Sequence, residues 1–212
     1  TLTSGATAGI IDTMATASGT VIVGVNFSAT TDANNGVINM GDLAVDGTIA
    51  LTTHGTGDAT VVNANGINFA ASTIGDDLIA TASDGDVIQQ GALTISGETT
   101  ITATGYDVTL NLETNDFDSD DSGTDGRLVT ITGKDVNIRN SDAFKLGAQT
   151  ISGNLTVQAG GSIEDGGVMD VEGTTTLTAT LRCVYLPPSL NSASPFPFSS
   201  AADFASFMLS EV

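Results

Sequence analysis

The sequence predicts an all-β chain wound as a right-handed parallel β-helix, and three observations carry that prediction. The first is internal repetition. Displaced by 76 to 77 residues, the chain sets Val61 on Ile138, Asn63 on Asn140, Ile67 on Phe144, Ile74 on Ile151 and Leu78 on Leu155. After one residue is lost near Asp84 the match resumes, with Val87 on Ile163, Ile95 on Val171, Gly97 on Gly173 and Leu110 on Leu186. A partial third copy sets Leu43, Val45, Gly47 and Leu51 on Leu93, Ile95, Gly97 and Ile101, at a displacement of 50. Repetition in register points to stacked units, each burying its apolar face on the next. The second observation is strand alternation, as in Leu93-Thr94-Ile95, Val108-Thr109-Leu110 and Val136-Asn137-Ile138, with one face apolar and one polar. The third is composition: 32 Thr and 25 Gly, aromatics at 5% and no Trp, which suits narrow layers of similar side chains with glycine at the corners.

Taken in order, residues 1–35 read as an N-terminal segment, either early turns or a cap. Residues 36–186 read as the helix proper, with Gly, Asn or Asp breaking the strands every five to eight residues. That spacing is too tight for βαβ units. Three short strands per turn of about 20 residues predict roughly nine turns, a rod on the order of 40 Å long at a strand spacing of about 4.8 Å. A β-sandwich also uses many short strands, but it does not predict a long-range repeat.

Two segments depart from the pattern. Residues 115–126 (Asn-Asp-Phe-Asp-Ser-Asp-Asp-Ser-Gly-Thr-Asp-Gly) read as an acidic loop protruding from one face. At Pro187-Pro188 the language changes, and residues 187–212 form a short non-repeat tail holding four of the eight Phe. Ser200 with Asp203 resembles a helix-capping pair, and Phe204, Phe207 and Met208 share a helical face. This tail reads either as a cap over the last turn or as a connector to a second copy, with Phe196, Phe198, Phe204, Phe207 and Met208 as the contact residues.

Charge narrows the function. With 25 acids against five bases, the formal net charge is −20, which disfavours nucleic acid and anionic membranes as partners. No apolar run reaches the about 18 residues of a membrane span. No cofactor is required by this reading. The acids admit one metal candidate: Asp116, Asp118 and Asp120, at alternate positions, supply oxygen ligands for Ca²⁺ if the loop curls. The full EF-hand pattern fails, since Asp121 and Arg127 stand where Gly and Glu belong. Four of the five bases follow closely and are expected to take up part of the charge.

His54, the only histidine, reads as an exposed turn residue, and the lone Cys183 has no histidine beside it to make a catalytic thiol. Parallel β-helices also host glycan-cleaving enzymes. Here Asp76-Asp77 and Asp84-Gly85-Asp86 supply carboxylates, but no base lies between His54 and Arg127. The chain therefore reads as a non-enzyme. The runs Thr100-Ile-Thr102-Ala-Thr104 and Thr174-Thr-Thr176-Leu-Thr178 resemble the hydroxyl ladders of antifreeze β-helices. The intervening Val136-Asn-Ile-Arg139 and Leu155-Thr-Val-Gln158 are expected to break such a ladder, leaving β-propensity as the simpler explanation.

The wording Ile151-Ser-Gly-Asn-Leu-Thr-Val-Gln-Ala-Gly-Gly-Ser-Ile163, continued in Val171-Glu-Gly-Thr-Thr-Thr-Leu-Thr-Ala179, resembles the repeats of filamentous haemagglutinin and related two-partner-secreted adhesins. The resemblance spans about residues 36–180 and is one of repeat style. It implies a long secreted β-helix at a Gram-negative cell surface. The reading is thus a structural surface or secreted protein, an adhesin stalk or a fibre subunit. Its partners would be a second copy, head to tail, or a ligand on a host or neighbouring cell. The alternative is a binding module for glycan, Ca²⁺ or ice on one face.

Overall fold

The computed structural model describes residues 1–12, 19–32, 35–119 and 127–180 of the chain's 212. The C-terminal tail, Asp120, Cys183 and the five predicted aromatic and Met contacts lie outside the described residues.

Among those described, every paired strand is parallel to its neighbours, and the strands gather into one sheet of 11 and one of 10. Successive turns stack in register, as where Ile67 pairs with Val87 and Val87 with Val108. The architecture is the predicted all-β solenoid. Apolar side chains alternate inward from both sheets, giving the buried-exposed rhythm of Phe27–Thr31, Ala59–Asn63 and Leu155–Ala159. Nine strands lie on the first sheet's main path, but seven of them, from Phe27–Thr31 to Leu155–Ala159, carry buried inward residues. The expected nine turns therefore reduce, among the described residues, to about seven with a filled core. In the last strand, Thr175–Ala179, every residue is exposed.

Each turn pairs one long strand with a bent arm of two short ones. In the middle of the chain the long strands Ala59–Asn63, Leu78–Ala82, Thr99–Thr102 and Leu128–Gly133 belong to the second sheet. The short strands Ile67–Phe69, Ser72–Ile74, Val87–Gln89 and Leu93–Ile95 belong to the first. Beyond Gly133 the sides exchange. Val136–Asn140, Leu155–Ala159 and Thr175–Ala179 are long strands of the first sheet, while Phe144–Ile151, Ile163–Asp165 and Met169–Val171 supply the arms in the second. The same exchange occurs earlier, where the first sheet's Thr48–Thr52 is followed by the second sheet's Ala59–Asn63.

This exchange explains the sequence repeat. Val61 stacks under Ala80, then Ile101, then Ile131 in the second sheet, and Ile138 follows half a turn later in the first. The 77-residue displacement thus covers three and a half turns, and it superposes each strand on one of the opposite sheet.

The core is a stack of aliphatic columns, such as Val61, Ala80, Ile101 and Ile131. Phe117 and Phe144 pack edge to face within it, with ring centroids 5.9 Å apart and planes at 84°. Buried amides bind adjacent turns together. Asn63 Oδ1 accepts the Val45 N–H of the preceding turn at 2.8 Å, and its Nδ2 donates to the Val45 and Gly66 carbonyls. Asn140, its partner in the repeat, does the same with Phe117 N–H and the Ala143 carbonyl. The repeated glycines are close approaches: a Cβ on Gly47, Gly97 or Gly173 would run into the backbone of the turn below.

Candidate functional surfaces

The corners carry the charge. At several corners an acid or amide stands directly before the first inward residue of a strand, and its side chain accepts from the backbone of the next turn. Asp86 Oδ1 accepts from Asp107 N–H, Asp107 from Asp135, Asp135 from Asn154 and Asn154 from Thr174, at 2.7 to 3.2 Å. A second ladder runs from Asp58 to Asp77 to Glu98. The donated N–H from Asn154 holds the Asp135 carboxyl below the ordinary carboxylate range, helped by the neighbouring Lys134. Tyr106 donates its hydroxyl to Asp84, and that bond to a carboxylate raises the phenol above its usual value. Much of the chain's acidity is therefore built into its corners.

One group of three carboxylates comes close enough to share a cation among the described residues: Asp58, Asp76 and Asp77, with one ligand oxygen from each within 4.8 Å of the others. Asp58 and Asp77 already serve as acceptors in the second ladder. Of the predicted calcium residues, Asp118 donates its N–H to Asp116 Oδ1, which bends the chain between them, and Asp120 lies outside the described residues. The start of the acidic segment does not protrude. Asn115 and Phe117 are buried, Asp116 pairs with Thr94, and Ser119 N–H donates to the Ile95 carbonyl. Residues 115–119 thus continue the stack as a rung. Sequence reading missed this because three aspartates masked the inward alternation of Asn115 and Phe117.

Lys134 and Arg139 pair with acids of neighbouring turns. Lys134 lies 3.6 Å from both Asp107 and Asp135, and Arg139 meets Glu113 at 2.6 Å beside a shallow recess lined by Gln158 and Thr178. His54 is exposed in its turn, with Nδ1 bonded to the Thr31 carbonyl at 2.8 Å. Asp76-Asp77 and Asp84-Asp86 lie at consecutive corners of one turn, on either side of the strand Leu78–Ala82. No helix among the described residues is long and apolar enough to cross a membrane.

The threonines divide by face. On the second sheet, Thr100 stacks on Thr130, and Thr102 on Thr132, in unbroken register. The strands expected to interrupt them, Val136–Asn140 and Leu155–Ala159, lie in the other sheet. The expected break is therefore absent, because strands consecutive in sequence fall on opposite sides of the solenoid. Thr176 and Thr178 stack instead on Thr156 and Gln158 of the first sheet.

The fold and its repeated corners define a class, the parallel β-solenoid repeat proteins. More specifically, residues 56–122 and 133–186 match a family described as repeats of unknown function (DUF5649), and the chain belongs to that family. The two matched blocks begin close to the two points where long strands change sheet. No curated protein and no solved structure matches the chain.

Proposed function

We propose that this chain is a structural element of a secreted or surface-displayed bacterial protein, a stiff stalk or fibre subunit of the adhesin type. The observation that carries the reading is the continuity of the stack. From Phe27 to Ala159 each turn is sealed by inward aliphatic side chains, and corner side chains tie each turn to the next. Such a body resists bending and proteolysis, since cutting a strand requires breaking ladders on two sides. Its function is geometric, to hold a contact at a distance. The resemblance to filamentous haemagglutinin repeats supports the Gram-negative surface, and the partners we propose are further copies, end to end, or a cell-surface ligand. Negative-stain electron microscopy and small-angle scattering of the purified chain test the reading. Rods, single or in end-to-end files, are expected. A compact particle or a flexible coil would sink it.

A further inference from the structure

We propose that the outer face of the second sheet, from Thr60 to Thr132, is an ice-binding surface. The inference goes beyond the stalk reading and does not depend on it. Four consecutive long strands present two outward columns: Thr60, Ile79, Thr100 and Thr130, and beside it Val62, Thr81, Thr102 and Thr132. All eight residues are β-branched, six are threonine, and none is charged, in a chain whose net charge is −20.

The face is regular. Register is unbroken across all four strands, and shifts occur only at its two margins, against Ile38–Val45 on one side and Phe144–Ile151 on the other. Within it, hydroxyls and methyls repeat at about 4.8 Å along the stack and about 6.6 Å along a strand. β-Branching restricts each side chain to few rotamers, so the rows are ordered before any ligand arrives.

β-Propensity alone does not explain the distribution. In the first sheet's long strands Val136–Asn140 and Leu155–Ala159 the corresponding outward positions are Asn137 with Arg139 and Thr156 with Gln158, and both become threonine only in the last, as Thr176 with Thr178. The first sheet also carries a threonine column, Thr3, Thr30, Thr52, Thr73 and Thr94, but it is a single file with no second column of threonines beside it, and it ends against Asp116.

Charge and area select the occupant. An acidic ladder, Asp58, Asp77 and Glu98, borders the face and repels anions, while the face itself offers a cation no counter-charge. Eight side chains at these spacings cover roughly 250 Å², far below the about 800 Å² per partner of a stable protein interface. An uncharged rigid lattice that hydrogen-bonds to fixed rows fits both limits.

Nanolitre osmometry on the purified full chain tests the proposal, reading thermal hysteresis and crystal shaping. Thr102→Lys sits at the centre of the face, and Thr156→Lys sits on the first sheet as the control. A Thr100→Val/Thr102→Val pair keeps shape and removes hydroxyls. Melting curves establish that each is folded. The chain and Thr156→Lys are expected to shape ice, Thr102→Lys to lose most of the hysteresis, and the valine pair to lose part of it. Hysteresis no greater than that of an equally acidic globular protein overturns the proposal, as does equal loss in Thr102→Lys and Thr156→Lys. Retention on crystalline cellulose or chitin without ice shaping would assign the face to a neutral glycan instead.

Discussion

Thr99 is fully buried between Leu78 and Val129 in an apolar column, and its hydroxyl has no hydrogen-bond partner. Valine has nearly the same shape without the orphan hydroxyl, so Thr99→Val is expected to stabilise the fold by about 1 kcal/mol, read as a higher urea midpoint with unchanged slope. Asp135 gives a pH signature. Its folded-state pKa is depressed, so its contribution is complete above the ordinary carboxylate value, about 3.9, and is lost as pH falls through the lower folded value. Wild type should therefore melt higher than Asp135→Asn at neutral pH, and the gap should close in strong acid. A gap that widens as pH falls would contradict the ladder as drawn.

Among the elements, the rung formed by residues 115–119 is the one most open to a decisive substitution. Phe117 is buried in the core against Phe144. Phe117→Ala should cost about 3 to 5 kcal/mol, since a rigid stack cannot collapse around the cavity. A loss under about 1 kcal/mol, the usual size for a surface position, would mean that this segment is a loop after all. The rung was legible in principle, from the inward alternation of Asn115 and Phe117. The corner ladders were legible too, since Asp58, Asp77, Asp86, Asp107, Asp135 and Asn154 each precede an inward Ala, Leu or Val. What no local pattern reveals is which backbone N–H a carboxylate meets, because that donor lies some 20 residues away along the chain.

For the molecule as a whole, stacked carboxylates at net charge −20 set a cost that salt relieves. The melting temperature should rise as NaCl goes from low to moderate concentration, as differential scanning fluorimetry would show. A fall would mean that the exposed pairs Lys134–Asp107 and Arg139–Glu113 matter more than the repulsion, contrary to the usual weakness of exposed ion pairs.

The sequence alone determined that this chain stacks: alternation at period two, glycine corners and a repeat in register leave a solenoid as the architecture that buries every apolar column. It also determined the acidity and the place where the pattern changes. Only the tertiary structure decided which face each strand occupies. The 77-residue repeat spans a half-integer number of turns, so matched strands lie on opposite sheets, and neighbours in sequence, such as Leu128–Gly133 and Val136–Asn140, do not share a surface. Sequence periodicity reports when a side chain points inward. It does not count the corners between two strands, and that count decides which threonines stack on one face.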